Sequence, residues 1–142
     1  MGVNVLIVDD SALIRQVLRK VVKQTGIQPD NFFEAGDGRQ ALDIIAKNQV
    51  DLVLSDINMP RMDGLQMLTT LRQMEDKESL PVIVVSTKGS EDTMREAMAL
   101  GATGCVLKPF TPEALAEQLR PLGFLTETPP EEDVDLSVPD AF

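Results

Sequence analysis

The chain has 142 residues, of which 43% are hydrophobic and 25% charged, and this length and composition are sufficient for one globular domain with a hydrophobic core. The formal net charge of −10 makes the chain a poor non-specific binder of nucleic acid, and no apolar run approaches the ~20 residues of a membrane span. The sequence contains no histidine and a single cysteine, which excludes histidine chemistry on this chain and an internal disulfide.

The negative charge is concentrated at the C-terminus. Residues 121–142 hold six of the 23 acidic residues and neither lysine nor arginine. We therefore divide the chain into a globular domain, residues 1–122, and an acidic, proline-rich tail, residues 123–142, in which we expect little stable structure. An alternative interpretation of the tail is a short docking strand, because apolar and polar residues alternate from Val134 to Val138.

The features that report on location favour the cytoplasm. The N-terminus has no basic stretch followed by an apolar stretch, so no secretory signal is predicted. A lone cysteine, Cys105, is compatible with a reducing compartment. We expect a cytoplasmic protein that does not insert into membranes.

Strand and helix patterns alternate five times along the chain. Each short apolar run predicts a strand, and the longer runs are typical of strands that are buried on both faces of a parallel sheet. The five runs are residues 5–8, 32–35, 52–55, 82–85 and 103–107. Helical spacing follows each run, and Ser11, Ser90 and Thr111 are predicted to cap the first, fourth and fifth helices. Alternating strands and helices predict an α/β fold with right-handed crossovers.

Polar side chains stand at the ends of four of these strands. Asp9 and Asp10 follow the first, Asp56 ends the third, Ser86 the fourth and Lys108 the fifth. Because ligands of open parallel sheets bind outside the carboxyl ends of the strands, we expect the five groups to converge. Taken singly, the acid pair could merely favour a helix N-terminus, and the serine could be an ordinary strand-end hydroxyl.

Taken together, these groups predict a site for magnesium-dependent phosphoryl transfer. Neighbouring carboxylates require a cation or a raised pKa, and oxygen ligands suit Mg²⁺. A carboxylate can attack phosphorus and form an acyl phosphate. An ammonium and a hydroxyl nearby would neutralise and position the phosphoryl group.

The same residues resemble the receiver domain of response regulators, and most closely its stand-alone, chemotaxis-type (CheY-like) members. The resemblance covers about residues 3–120. Its motifs are Asp9-Asp10, Asp56 with Asn58-Met59-Pro60, Asp63-Gly64, Ser86 and Lys108-Pro109-Phe110. It implies a flavodoxin-like, doubly wound sheet of five parallel strands in the order 2-1-3-4-5 with five helices, an order for which CheY itself is a standard example.

The resemblance also implies a role for each acid of the site. Asp56 would be the phosphoacceptor. Asp10 and Asp56 would bind Mg²⁺ together with the backbone carbonyl of Asn58, and Asp9 would be the second acid, often acting through water. A histidine kinase would supply the phosphoryl group.

The resemblance implies a sensing pair as well. Ser86 and Lys108 would sense the phosphoryl group, and the Lys108–Pro109 peptide is expected to be cis. One position departs from the family pattern, because Cys105 replaces the switch aromatic of the fifth strand and the chain has no tyrosine or tryptophan. We therefore expect the signal to run through Ser86, with Cys105 a small strand hydrophobe.

The function implied is a signalling switch that binds a target protein through the face formed by helix 4, strand 5 and helix 5. We expect it in chemotaxis or motility, as a monomer or a phosphorylation-dependent dimer, with no chemistry beyond its own phosphorylation and dephosphorylation. On helix 4, Met94 and Met98 are interpreted as core residues, with a partly exposed partner patch as the alternative.

Two alternatives remain open. The chain could be the receiver domain of a larger regulator, a transcription factor or an enzyme, whose output domain is missing. A phosphatase similar to haloacid dehalogenases is disfavoured, because those enzymes carry an Asp-x-Asp pattern on the first strand, whereas Asp9 and Asp10 are adjacent and Asp56 lies on the third.

Overall fold

The computed structural model describes residues 3–87, 91–108 and 111–124, in which five strands alternate with five α-helices. The strands are β1 Val3–Val8, β2 Pro29–Ala35, β3 Leu52–Asp56, β4 Val82–Thr87 and β5 Gly104–Lys108. The helices are α1 Ala12–Gln24, α2 Gly38–Lys47, α3 Gly64–Gln73, α4 Glu91–Ala99 and α5 Pro112–Leu119, followed by a 3₁₀ turn, Arg120–Leu122. None of the described helices is long and apolar enough to cross a membrane.

All five strands form one parallel sheet in the order β2-β1-β3-β4-β5. This confirms the predicted fold class and strand order. In register, Leu6 of β1 lies opposite Phe33 on one side and Val53 on the other, and Leu54 lies opposite Ile83. The direction of winding reverses between β1 and β3, so the carboxyl ends of these two neighbouring strands form the crevice in which such sheets bind ligands.

The sheet is buried on both faces, as the apolar runs predicted. Successive side chains of a strand point to opposite faces, so each central strand contributes to two cores. One core packs β1, β3 and β4 against α1 and α5 through Val5, Ile7, Leu18, Val22, Leu54, Ile83, Leu115 and Leu119. The other packs them against α2, α3 and α4 through Leu6, Val8, Ile45, Val53, Leu68, Leu71, Val84 and Ala97. Each large aliphatic side chain buried in this way contributes about 1.5–3 kcal/mol.

Side-chain caps define where four helices begin. A side-chain oxygen of Ser11, Asp37, Asp63 or Thr111 accepts a hydrogen bond from the backbone N–H three residues later, which satisfies a donor that the helix itself leaves unpaired. The predicted caps at Ser11 and Thr111 are confirmed, whereas Ser90 lies outside the described residues. Asp37 is the N-cap of α2.

The largest difference from the predicted strand runs is at the start of β2. β2 begins at Pro29 and not at Phe32, because the first part of this edge strand pairs with β1 without needing an apolar sequence. α5 ends at Leu119, and Pro121 falls in the 3₁₀ turn that follows, since proline lacks the N–H that would continue the helix. The tail beyond residue 124 lies outside the described residues, so its predicted organisation stays a prediction.

A close approach of α3 to β3 gives the first testable prediction. A Cβ on Gly64 would overlap the carbonyl oxygen of Asp56 and lie 2.9 Å from the Cα of Ile57, and backbone atoms cannot rotate away as a flexible side chain could. We expect Gly64→Ala to lower the free energy of unfolding by about 1–3 kcal/mol. Urea unfolding followed by far-UV circular dichroism measures this, since the chain has no tryptophan or tyrosine to report by fluorescence.

The matched control is Gly36→Ala. A Cβ on Gly36 would meet nothing closer than the Oε1 of Gln40 at 3.6 Å, an ordinary contact, so this variant should unfold close to wild type. Equal losses in the two variants would contradict the steric argument.

Candidate functional site

Three carboxylates meet at the carboxyl edge of the sheet. The chain passes directly from the end of β1 into Asp9 and Asp10, and Asp56 is the last residue of β3. One oxygen from each of the three lies within 4.8 Å of the others. Asp9 and Asp56 are buried, whereas Asp10 is exposed to solvent. The structure therefore brings together the acids that the sequence placed at separate strand ends.

The ammonium of Lys108 lies between two of these acids. Its Nζ is 3.6 Å from Oδ2 of Asp9 and 3.6 Å from Oδ1 of Asp56. Both distances exceed the usual 2.7–3.2 Å of a hydrogen bond, so the attraction is mainly Coulombic. Lysine is a compact charge on a flexible stem, and from the end of β5 it reaches across the end of β4 to neutralise part of the acid cluster.

The carboxylate of Asp9 is only partly satisfied. Its Oδ1 accepts a hydrogen bond of 2.9 Å from the backbone N–H of Ser11. Its Oδ2 is fully buried and accepts no hydrogen bond from any part of the chain that the structure describes. A buried carboxylate oxygen without a donor is costly, and a cation or a cation-bound water would supply the missing partner.

The donor set fits magnesium. It consists of oxygens alone, with no nitrogen or sulfur ligand among the clustered groups, and Mg²⁺ prefers one or two carboxylates and retained water. Asn58, two residues after Asp56, is an exposed residue of the loop that follows β3.

The environment of Asp56 acts on its protonation in both directions. Burial raises the pKa of the Asp56 carboxyl above its usual value, and the charges of Asp9 and Asp10 raise it further. The backbone N–H of Ile57, which donates to Oδ1 at 2.8 Å, and the charge of Lys108 lower the pKa. The net effect is a raised pKa, and desolvation is its main cause.

Ser86 lies between the acid of β3 and the lysine of β5. Asp56 is in register with Val85, and Lys108 is in register with Thr87, so the serine is one residue along β4 from each of their partners. It is buried, with 5% of its surface exposed. All five side chains predicted at the strand ends therefore stand at this edge. Pro109, and with it the predicted cis peptide, lies outside the described residues.

Cys105 and the methionines of α4 lie away from this cluster. Cys105 lines a shallow pocket with Met94, Met98 and Gln118, and burial raises the pKa of its thiol, which disfavours the reactive thiolate. Met98 is 48% exposed, so its interpretation as a core residue was wrong. The short helix α4 has one fully buried residue among those described, Ala97.

The sequence patterns did not reveal two ion pairs that flank the acids. The Nε of Arg15 donates to Oε1 of Glu34 at 2.8 Å, and the Nε of Arg61 donates to Oδ2 of Asp37 at 2.7 Å. The paired residues are 19 and 24 positions apart in the sequence. This separation is larger than any that helical or strand periodicity can predict. Only Asp37 carried a usable signal, since an aspartate before a helical pattern is a typical N-cap.

The model of the response regulator receiver domain family matches residues 5–120. The chain belongs to this family and is a CheY-like receiver domain, the switch component of two-component signalling. This confirms the resemblance drawn from the strand-end motifs.

The individual relatives agree with this assignment. The chain is 34% identical over 117 residues to the chemotaxis protein CheY homolog of Campylobacter jejuni, a match that covers 82% of this chain and 88% of the relative. Its fold is similar to CheY4 of Vibrio cholerae, with a TM-score of 0.75, 34% identity, and coverage of 86% of this chain and 99% of the other. The receiver domain of the Francisella response regulator 1452 is also similar, with a TM-score of 0.72, 30% identity, and coverage of 85% and 96%.

The raised pKa of Asp56 predicts a pH-dependent stability. In metal-free buffer at neutral pH, Asp56→Asn should have a higher thermal midpoint than wild type, because burial makes the ionised carboxylate unfavourable. The pKa of the Asp56 carboxyl is higher in the folded state than in the unfolded state. The contribution of this carboxyl to the stability of wild type is therefore fully present at low pH, where the group is protonated, and is lost as pH rises through the folded-state pKa. The difference in thermal midpoint between Asp56→Asn and wild type should grow over the same pH range and vanish below the unfolded-state pKa.

Asp37→Asn serves as a control with the opposite sign. The backbone N–H of Gln40 and the guanidinium of Arg61 lower the pKa of Asp37, so its contribution is present above the unfolded-state pKa and is lost as pH falls through the folded-state pKa. This variant should melt below wild type at neutral pH and approach it in acid. Thermal melts across a pH series measure both, and parallel curves for the two variants would contradict the assignment.

Proposed function

We propose that the protein is a phosphorylation-dependent switch in which Asp56 accepts a phosphoryl group from a histidine kinase in the presence of Mg²⁺. The observation that carries the proposal is the position of Asp56. Its carboxylate lies in a cluster of acids that fits a divalent cation, and the ammonium of Lys108 is 3.6 Å away. Membership of the receiver family supports the same role.

In the proposed reaction an oxygen of Asp56 attacks phosphorus. The new O–P bond forms as the N–P bond of the kinase phosphohistidine breaks, and the electron pair leaves with the imidazole nitrogen. This chain has no histidine of its own, so the donor must be another molecule. The attacking carboxylate must be ionised, and the Ile57 N–H and the Lys108 charge favour that form.

The remaining groups would hold the metal and the phosphoryl group. Asp10, Asp56 and the carbonyl of Asn58 would hold Mg²⁺, with Asp9 acting through a bound water. When bound, the ion would neutralise charge on the carboxylates and on the phosphoryl oxygens. Lys108 would pair with one phosphoryl oxygen, which requires that its attraction to Asp9 and Asp56 weaken as the metal takes up their charge.

The output would be a change in the position of Ser86. A switch operates only if the ligand interacts differently with two states. The serine hydroxyl would donate a hydrogen bond to the phosphoryl group and bring the carboxyl end of β4 with it. Since β4 leads into α4, that movement would reposition the helix without requiring an aromatic ring on β5.

The proposed target surface is the face formed by α4, β5 and α5. Met98 on α4 is 48% exposed and Leu107 on β5 is 44% exposed, which are large apolar side chains for a water-facing surface. We infer a protein partner in chemotaxis or motility, because the Campylobacter jejuni relatives are chemotaxis proteins that match over most of their length. The switch would act in the cytoplasm as a monomer or a phosphorylation-dependent dimer.

The phosphoacceptor role is tested with acetyl phosphate and Mg²⁺. Wild type should gain the mass of one phosphoryl group and lose it when EDTA is present from the start. Asp56→Asn should gain none, because an amide is not a nucleophile at phosphorus. Asp43→Asn, an exposed acid of α2, should behave as wild type. Intact-protein mass spectrometry reads all three, and an adduct that persists in Asp56→Asn would refute the assignment.

The signalling route is tested by comparing two substitutions at residues that are at least partly buried. Ser86→Ala should still be phosphorylated on Asp56 but should bind a phosphorylation-dependent partner more weakly, because it cannot donate to the phosphoryl group. Cys105→Ala should affect that binding much less. Pull-down with and without acetyl phosphate measures the difference, and the reverse order of effects would place the route through Cys105.

A further inference from the structure

We propose that Glu34 and Asp37 are positioning residues for the metal site, each acting through an arginine that contacts or belongs to one of the two loops that carry the metal ligands: Arg15 of α1 for Glu34, and Arg61 for Asp37. We call residues 9–11, which follow β1, the β1 loop, and residues 57–63, which follow β3, the β3 loop. The inference rests on the proposed function in one respect, namely that the acid cluster binds Mg²⁺. It adds that both loops are held from the neighbouring β2–α2 segment.

The first connection holds the β1 loop. Nη1 of Arg15 donates to the backbone carbonyl of Asp9 at 2.6 Å, and its Nε donates to Oε1 of Glu34 at 2.8 Å. The second oxygen of Glu34 accepts from Nη1 of Arg19 at 2.8 Å. Through its contact with Arg15, Glu34 holds the guanidinium against the backbone of a metal-site acid. Only a guanidinium offers two donors in a rigid fork with this reach.

The second connection holds the β3 loop. Nε of Arg61 donates to Oδ2 of Asp37 at 2.7 Å, while Oδ1 of Asp37 caps α2 at the N–H of Gln40, 2.9 Å away. The backbone N–H of Gly38 donates to the carbonyl of Met62 at 2.9 Å. A Cβ on this glycine would lie 2.8 Å from the Cγ of Met62. The loop is therefore held to the start of α2 by a side-chain contact and a backbone contact.

The backbone of Arg61 indicates that its contact with Asp37 does more than stabilise the fold. Its φ is +64°, a left-handed conformation that is unfavourable for a non-glycine residue. The arginine side chain is 67% exposed, and exposure to solvent weakens the contribution of an ion pair to stability. A glycine would avoid the backbone cost, so the arginine is better explained by where it holds the loop.

The consequence for the metal follows from the sequence of the loop. The β3 loop contains Asn58, whose carbonyl is the proposed third ligand, and begins directly after Asp56. Substituting a residue that contacts and orients a metal ligand typically lowers metal affinity by about 10–100-fold. Charge alone predicts the opposite result for Arg61, because removing a positive charge beside a cation site should strengthen Mg²⁺ binding. The two explanations can therefore be separated by the sign of the effect.

The experiment measures the Mg²⁺ dissociation constant by isothermal titration calorimetry. We expect Arg61→Ala to bind Mg²⁺ about tenfold more weakly than wild type. Arg39→Ala makes the same charge change at an exposed residue of the same region and should bind as tightly as wild type or slightly more tightly. Arg61→Gly relieves the backbone cost, so it should keep the thermal midpoint while still losing Mg²⁺ affinity.

The first connection is tested without any change of charge. Arg15→Lys keeps the cation but cannot bridge Asp9 and Glu34 as a fork does, so Mg²⁺ affinity should fall by about tenfold. Arg19→Lys, at an arginine that contacts Glu34 but not Asp9, should stay within about twofold of wild type, since the carbonyl of Asp9 keeps its donor.

The outcomes distinguish this inference from the proposed function. If wild type binds no Mg²⁺ and gains no phosphoryl group, the proposed function is wrong and the inference falls with it. If wild type binds Mg²⁺ and is phosphorylated, but Arg61→Ala, Arg61→Gly and Arg15→Lys bind Mg²⁺ as tightly as wild type, the positioning role is wrong and the switch function stands. Weaker binding in these variants with both controls unchanged supports the inference.

Discussion

The chemistry of the site is governed by the repulsion among three carboxylates, which the fold holds at one edge of its sheet. Two of them are buried, and one buried oxygen of Asp9 lacks a hydrogen-bond donor among the described residues. Lys108 offsets part of the negative charge from 3.6 Å, and the remainder stays unneutralised within the described chain. A site of this kind stores unfavourable electrostatic energy in the free protein, and a cation or a phosphoryl group with its cation would release it. The hydrophobic cores on the two faces of the sheet supply stability that offsets this electrostatic cost.

The geometry of the site is set by the strands and helices that carry and surround the acids. The position of β1 beside β3 sets the distance between the acid pair and Asp56. Gly64 allows α3 to start against the backbone of Asp56, and Asp63 caps that helix so that the β3 loop has a defined end. The ion pairs of Glu34 and Asp37 add support from the β2–α2 side. The three carboxylates and the ammonium of Lys108 are therefore already clustered before any ligand binds.

Few residues separate the acid cluster from the proposed target surface. Ser86 is the next-to-last residue of β4 and lies one position along this strand from the partners of Asp56 and Lys108. β4 leads along the chain to α4, which presents the exposed Met98. β5 forms the edge of the sheet on this side. Its Cys105 has no aromatic ring that could move between a buried and an exposed position. In the proposed switch, a shift of Ser86 would therefore reach the target surface through β4 and α4.

The sequence by itself determined the fold class, the order of elements and the identity of the strand-end groups. This was possible because a buried parallel strand is a local pattern, and because Asp9, Asp10, Asp56, Ser86 and Lys108 each stand where such a pattern ends. The resemblance that these motifs carried also gave the strand order. Only the tertiary structure decided which groups meet and at what distance. The pairing of Arg15 with Glu34, the contact of Arg61 with Asp37 and the exposure of Met98 had no periodic signal, because each depends on how elements distant in the chain pack against one another. Local patterns encode burial and direction, whereas ion pairs and exposed patches are set by packing between elements.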